Sequence, residues 1–147
     1  MKYLKLIALL IPVVMISCSK DDDDNSNNGG NTTLTNTDKL CGKNWKYSKI
    51  ESDTNGDGVA DLDITSQYPA CALDNYYTFS APPTQTVVFN EGPTKCDPND
   101  PQTTSVTWTW LANETQLKWD AQTYTVIVND GNTLKLRLSP LTITFIK

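Results

Sequence analysis

Apolar and polar residues alternate along a series of short runs from residue 43 onward, and Gly, Pro, Asn or Asp separates one run from the next. The alternation is clearest in Val106, Trp108 and Trp110, and it returns in Leu134 and Leu136. A period of two places apolar side chains on one face of a β-strand. The pattern therefore predicts eight strands, at about 43–51, 76–80, 85–90, 104–110, 116–120, 122–128, 132–138 and 140–146.

The connections between these runs indicate how the strands are arranged. Residues 129–132 (Asn-Asp-Gly-Asn) are typical of a tight hairpin turn, since Gly and Asn tolerate a positive φ. No stretch of ordinary helix length carries a convincing apolar stripe. Sequential antiparallel strands that close on themselves leave no exposed edge. We therefore expect an all-β, eight-stranded, antiparallel up-and-down barrel, with a β-sandwich as the alternative.

The first 17 residues follow the order of a secretory signal. Lys2 and Lys5 precede an apolar run at 6–16, and the small residue Ser17 precedes Cys18. The apolar run is shorter than the about 20 residues that a spanning helix needs, so a permanent membrane helix is the weaker interpretation. The sequence predicts a signal peptide at residues 1–17 that is removed after export.

Residues 15–18 (Met-Ile-Ser-Cys) resemble a lipobox, the motif at which bacterial lipoproteins are lipidated and cleaved. The resemblance implies that Cys18 becomes the first residue of a lipoprotein and carries fatty acyl chains such as palmitate. Two or three chains hold a protein firmly on a membrane, whereas one chain binds marginally. The expected partner is therefore the membrane, through a lipid anchor.

Four aspartates, Asp21–Asp24, follow the predicted anchor. They resemble the acidic export tag of Bacteroidota lipoproteins, which implies a place on the outer membrane, facing the cell exterior. The alternative is a solvated acidic spacer. The next stretch is rich in Asn, Ser, Gly and Thr and too polar to bury. We assign residues 18–40 to a disordered tether and residues 41–147 to one folded domain.

The folded part resembles the lipocalin-like domain of Bacteroidota lipoproteins over nearly its whole length. The matching segments are Leu40–Trp45, Cys71–Phe79, Glu91–Asp97, Trp108–Trp110, Leu117 and Tyr124–Val128. The resemblance implies a small lipocalin-like barrel. It also implies that Arg137 packs over Trp45 through a cation–π contact, the alternative being an outward, solvated arginine. The Gly-x-Trp motif of true lipocalins is not kept, because Gly42 and Trp45 are three positions apart.

Charge and composition exclude several functions. The chain carries a net charge of −5, which becomes −7 when Lys2 and Lys5 are removed with the signal, and this surface does not suit nucleic acid. The sequence contains no histidine, which excludes Ser–His and Cys–His nucleophiles and the usual zinc ligand sets. The acidic residues from Asp53 onward lie in loop-like sequence. We therefore do not expect an enzyme.

Lipidation of Cys18 leaves Cys41, Cys71 and Cys96 for disulfide chemistry in an exported protein. In an up-and-down barrel, the loops 52–75 and 91–103 share one end, and each holds one cysteine. We therefore favour a Cys71–Cys96 disulfide with Cys41 left over, while a pair that includes Cys41 remains the alternative. On the loop-entropy model, the bridge stabilises the domain by about 3 to 4 kcal/mol.

Residues 53–63 resemble the calcium loops of EF-hand and dockerin proteins. Oxygen ligands alternate along such a loop, and Gly58 stands where it turns sharply. The expected ligands are Asp53, Asn55, Asp57, Asp61 and Asp63, with the carbonyl of Val59. Ile64 stands where a bidentate acid belongs, so we expect weak calcium binding, with a Kd of about 10⁻⁴ to 10⁻³ M. The alternative is an acidic loop without metal.

Two functions fit the predicted barrel. In the first, the protein is a non-enzymatic surface binding module whose rim loops, 52–75 and 91–103, contact a small apolar ligand, a glycan or a protein. In the second, it is a structural or accessory subunit of an outer-membrane complex, with a barrel filled by its own aromatic side chains. A lined cavity of about 300 Å³ or more favours the first function, and a filled interior favours the second. The sequence does not indicate which residues would bind a ligand.

Overall fold

The computed structural model describes residues 33–147, and most of the regular structure in this part of the chain is β-strand. Its strands are β1 (Asn44–Ser52), β2 (Leu62–Asp63), β3 (Tyr76–Phe79), β4 (Thr86–Asn90), β5 (Thr103–Leu111), β6 (Gln116–Trp119), β7 (Gln122–Asn129), β8 (Thr133–Leu138) and β9 (Leu141–Ile146). Its helices are α1 (Asn36–Leu40), a 3₁₀ helix (Thr65–Gln67) and α2 (Ala70–Leu73). Among residues 33–147, no helix has the length and apolar composition that crossing a bilayer requires.

Eight of the strands form a closed barrel. They pair antiparallel in the order β1, β3, β4, β5, β6, β7, β8 and β9, and β9 pairs back with β1 between Lys46 and Ser52. The predicted up-and-down barrel is confirmed, and the alternative of a β-sandwich is wrong because the sheet has closed on itself. Each predicted strand ends within one residue of an observed one. The sequence pattern does not predict β2 or the helices, since elements this short carry too little periodicity.

Large apolar side chains fill the barrel toward the end where β3, β5, β7 and β9 finish, which we call the closed end. Alternate residues of each strand point inward, as the period of two predicts. Burying one such side chain stabilises a fold by about 1.5 to 3 kcal/mol, so this core is the main source of stability. The core residues, none more than 3% exposed, include Trp45, Phe79, Trp108, Leu117, Leu134, Leu136 and Phe145.

Helix α1 covers the closed end. Its last residue, Leu40, is fully buried in the core. The Asn129 amide donates to the Asn36 carbonyl at 2.9 Å, and the Trp110 indole donates to the Thr37 hydroxyl at 3.1 Å. Residues 36–40 therefore belong to the folded domain, and the predicted end of the tether at residue 40 is wrong. A five-residue helix with one buried leucine leaves little trace in a polar sequence.

Arg137 lies on the outer face of the barrel wall. Its neighbours in β8, Leu136 and Leu138, pack into the core, so alternation directs Arg137 outward. Its guanidinium donates to the carbonyl of Gly58. Trp45 lies inside the barrel, where its indole donates to the Leu40 carbonyl at 2.8 Å. The implied cation–π contact between Arg137 and Trp45 is therefore wrong, because the wall separates the two side chains.

Candidate functional site

The barrel wall is incomplete between β1 and β3 near the end opposite α1, which we call the open end. β1 pairs with β3 through residues 44–46 and with β2 through residues 51–52. Residues 62–75 cover the interval between these pairings. The Ile64 amide donates to the Ile50 carbonyl at 2.9 Å, and the Ile50 amide donates to the Thr65 hydroxyl at 2.8 Å. A segment with short helices therefore replaces strand pairing on this side.

A cavity of about 310 Å³ lies at the open end, partly walled by this segment. Apart from the amide of Asn75 and the hydroxyls of its tyrosines, its lining is apolar. Helix α2 supplies two of the lining side chains. The barrel thus combines a filled closed end with a lined cavity at its open end. The lining includes Ile50, Tyr68, Ala72, Leu73, Phe89 and Ile143.

Two tyrosines complete the lining of the cavity. The hydroxyls of Tyr47 and Tyr77 lie 2.7 Å apart and form a hydrogen bond. The Tyr47 ring packs on Phe145 with centroids 5.0 Å apart, and the Tyr77 ring stacks on Trp119 at 5.6 Å. Tyr77 and Phe89 also line a second cavity of about 130 Å³. Aromatic packing therefore holds the hydroxyl pair in a fixed position.

Burial keeps these phenols in their neutral form. Desolvation raises the pKa of Tyr47, and the nearby Tyr77 raises it further. Desolvation also raises the pKa of Tyr77, although its hydrogen bond with Tyr47 acts in the opposite direction. The pKa of Tyr124, whose side chain is buried close by, is raised by desolvation as well. At neutral pH the cavity therefore presents uncharged hydroxyls.

The disulfide joins Cys71 of α2 to Cys96 in the 91–102 loop, with Cα atoms 5.2 Å apart. The predicted pairing is confirmed, and Cys41 is the free cysteine of residues 33–147. Cys71 directly precedes Ala72 and Leu73, which line the cavity. The bridge therefore fixes the cavity wall to the neighbouring rim loop.

Gly92 brings the 91–102 loop against the end of α2. Its φ is +70°, and a Cβ atom there would lie 2.5 Å from the Asp74 carbonyl oxygen, so only glycine fits. The Thr94 amide donates to the Asp74 carboxylate at 3.2 Å. The Asn75 amide nitrogen, oriented to donate, lies 2.6 Å from the Glu91 carbonyl and 3.0 Å from the Cys71 carbonyl. These contacts and the disulfide make one rigid rim.

The loop predicted to bind calcium is closed by its own hydrogen bonds. The Asp53 carboxylate accepts from the amides of Gly56 and Gly58, both at 2.7 Å. The Asp57 carboxylate accepts from the Val59 amide at 2.8 Å, and the Asn55 side-chain oxygen accepts from the Asp57 amide at 2.9 Å. A separate contact closes the ends of the loop, where the Asp61 carboxylate accepts from Thr54.

The structure does not gather all the predicted calcium ligands. Asp63 lies in β2, paired with Glu51, and its carboxylate accepts from the amide and hydroxyl of Thr65 at 2.9 and 2.6 Å. These hydrogen bonds lower the pKa of Asp63. Within residues 33–147, no group of three or more His, Cys, Asp or Glu side chains is arranged to hold a metal ion. Calcium binding therefore stays a prediction from sequence.

This loop also lies away from the cavity. Gly58, Val59 and Ala60 face the outer wall of the barrel beside Arg137 and Ile127, where they border a groove of about 200 Å³. Only the later part of the predicted 52–75 rim loop, from the 3₁₀ helix onward, approaches the cavity through Tyr68 and α2. Residues 53–61 therefore lie over the outside of the barrel and not at the predicted rim, and ligand contact by the rim loops stays a prediction.

Sequence reasoning misses the tyrosine pair. Alternation with Trp45 indicates that Tyr47 points inward, but Tyr76 and Tyr77 are adjacent and the pattern does not show which one does. The pairing register of β1 with β9 also shifts between Tyr47 and Lys49, and the sequence pattern does not predict this shift. Helix α2 is also missed, and the feature of its sequence that indicates a structural role is Cys71, which the predicted disulfide includes.

Comparisons of the chain with models of protein families, with curated proteins and with solved structures found no match.

The buried tyrosines predict a loss of stability at high pH. The pKa values of Tyr47 and Tyr77 are raised above the ordinary value of about 10 in the folded protein. As pH rises, the unfolded chain therefore releases these protons before the folded chain does. The contribution of the neutral tyrosines to stability is complete below about pH 10 and is lost above it. Above pH 10 we expect the free energy of unfolding to fall by up to about 1.4 kcal/mol per pH unit for each such tyrosine. Chemical denaturation at several pH values measures the slope, and the Tyr47→Phe variant should show a shallower one. Equal slopes would contradict this interpretation.

Proposed function

We propose that this chain is an outer-membrane surface lipoprotein whose barrel binds a small, uncharged, largely apolar ligand in the cavity at its open end. The observation that carries the proposal is the cavity of about 310 Å³, which is walled by apolar and aromatic side chains and whose polar groups are the Asn75 amide and the tyrosine hydroxyls. Ligand sites in proteins are typically apolar clefts of about 300 to 1,000 Å³ with a few fixed polar groups. The cavity lies at the small end of this range.

The lining sets the charge of the ligand. No cationic or anionic side chain contributes to the cavity among residues 33–147. A charged ligand would lose its hydration without gaining a counter-ion, which is strongly unfavourable. An uncharged ligand avoids this cost and gains the hydrophobic contribution of about 25 cal/mol for each Å² of apolar surface buried.

The alternative function, a structural subunit with a filled barrel, fits the structure less well. The closed end is filled by residues such as Trp45 and Phe145, but the open end is not. The disulfide and the contacts of the 91–102 loop also hold the cavity wall in place. These features favour the binding module.

The proposed location rests on the sequence alone. The lipobox at residues 15–18 and the aspartates that follow it lie outside residues 33–147, which the structure describes. About 17 polar residues would separate Cys18 from the start of the folded domain, giving a root-mean-square reach of about 20 to 25 Å. The barrel would thus stand clear of the lipid headgroups.

Filling the cavity tests ligand binding. We expect the neutral probe N-phenyl-1-naphthylamine to gain fluorescence saturably, with one site per chain, when added to the disulfide-bonded full chain carrying Cys18→Ser to prevent lipidation. Ala72→Trp should abolish the gain, because the indole occupies the cavity. Ala70→Trp is the matched control, since Ala70 lies in the same helix but is exposed. No saturable binding by the parent chain, or equal binding by both variants, would overturn the proposal.

Removing the predicted lipidation site tests the anchor. In a Bacteroidota host, we expect the unsubstituted chain to fractionate with the outer membrane and to be degraded by protease added to intact cells. Cys18→Ser should be lost from the outer-membrane fraction, because no acyl chain remains and the signal at residues 1–17 is not cleaved. Cys41→Ser should stay in the outer membrane and serves as the control. Fractionation of Cys18→Ser with the outer membrane would contradict lipidation at Cys18.

Calcium binding is tested by melting. With a Kd of about 1 mM, calcium at about 10 mM would stabilise the folded state by about 1.4 kcal/mol and raise the melting temperature by several degrees over a chelator control. Asp57→Ala should lose this rise. Asp130→Ala should keep it, because Asp130 closes a different turn through the amides of Asn132 and Thr133. An unchanged melting temperature of the parent chain would contradict the calcium prediction.

A further inference from the structure

The Tyr47–Tyr77 pair leaves hydrogen-bonding capacity unused. Two phenol groups together hold two donor hydrogens, and the single bond between their oxygens uses one of them. Among residues 33–147, neither hydroxyl has another hydrogen-bond partner, and both side chains line the cavity. One O–H donor and several oxygen lone pairs are therefore left for a bound molecule.

The surroundings of the pair favour a flat aromatic molecule. The rings of Tyr47, Tyr77 and Phe89 line the cavity and form a connected set, with Tyr77 and Phe89 centroids 5.3 Å apart. Aromatic ligands gain from offset or edge-to-face contacts with such rings in addition to the area they bury. A volume near the lower limit for ligand sites suits a molecule of about two fused rings.

The structure offers donor hydrogen and oxygen lone pairs but no charge. A carbonyl oxygen would accept the free O–H, and a hydroxyl would both accept and donate. A carboxylate would meet no cation, since the lining has no basic side chain among residues 33–147. The pair is also fixed by ring packing, so little conformational freedom is lost when a ligand binds.

We infer that the Tyr47–Tyr77 hydroxyl pair is a hydrogen-bonding subsite that selects uncharged aromatic ligands bearing a carbonyl or hydroxyl oxygen. This inference rests on the proposed function, because it specifies the ligand of the same cavity. A site that presents a buried donor discriminates against an analogue that cannot pair with it. The selectivity therefore resides in two side chains and not in the shape of the cavity alone.

Four naphthalene compounds test the inference by displacing N-phenyl-1-naphthylamine from the full chain carrying Cys18→Ser. They share one ring system and differ in the substituent: naphthalene has none, 2-acetonaphthone has a carbonyl, 2-naphthol has a hydroxyl, and 2-naphthoate has a carboxylate. We expect 2-acetonaphthone and 2-naphthol to bind roughly tenfold more tightly than naphthalene. We expect 2-naphthoate to bind more weakly than 2-acetonaphthone.

Removal of both hydroxyls provides the matched variant. In Tyr47→Phe/Tyr77→Phe, the advantage of 2-acetonaphthone over naphthalene should fall to within about twofold. Tyr76→Phe is the control, because Tyr76 is adjacent to Tyr77 in β3 but does not line the cavity, and it should keep the tenfold advantage. Circular dichroism shows whether each variant is folded. If the double variant does not fold, the affinities of the four compounds for the chain with both tyrosines still decide the question.

The outcomes separate this inference from the proposed function. Equal affinity of naphthalene and 2-acetonaphthone for the chain with both tyrosines overturns the tyrosine subsite while leaving ligand binding intact. Survival of the tenfold advantage in the double variant also overturns it. Failure of the fluorescent probe and of all four compounds to bind overturns the proposed function, and the subsite with it.

Discussion

Closure of the barrel depends on β1, because this strand has to find partners along both of its edges. On one edge it pairs with β9 from Lys46 to Ser52. On the other edge, pairing with β3 stops at Lys46, and β2 supplies a partner only at Glu51 and Ser52. Unpaired backbone groups inside a wall are costly, so the intervening residues need other hydrogen bonds. The segment from β2 to α2 provides them, and its side chains become the wall of the cavity.

The two ends of the barrel differ because different segments cover them. At the closed end, α1 places Leu40 in the same buried cluster as Trp45, Phe79 and Phe145, and these side chains fill the interior. At the open end, the covering segment is not a strand and cannot bring a continuous row of side chains inward. The space that remains is bounded by the Tyr47–Tyr77 pair, which forms the transition from filled core to cavity.

The fold was predictable from sequence to a greater extent than the site. Residues such as Leu134 and Leu136 alternate over whole strands, so the eight barrel strands and their topology follow from a simple period. The Cys71–Cys96 disulfide could be predicted from that topology, because the first and third connections of an up-and-down barrel lie at the same end and each holds one of the two cysteines. The site depends on features with no periodic signal: the bulge after Tyr47, the four-residue α2, and the path of residues 53–61.

The loop predicted to bind calcium, residues 53–63, also shows that one sequence pattern can correspond to two structures. Its alternating aspartates resemble a metal site, yet alternating Asx residues also suit a loop that closes on its own amides. The same sequence pattern therefore fits a metal-binding loop and a loop closed by its own hydrogen bonds. The contact between Arg137 and the Gly58 carbonyl, which holds the loop against the barrel wall, is visible only in the structure.

The position of α1 determines which end of the barrel the preceding part of the chain joins. The chain enters the domain at the closed end, where Asn36 and Thr37 are bonded to Asn129 and Trp110. For a protein held by the residues that precede α1, the point of attachment and the cavity therefore lie at opposite ends of the barrel. Under the proposed function, the anchor and the ligand would therefore use opposite ends of the barrel.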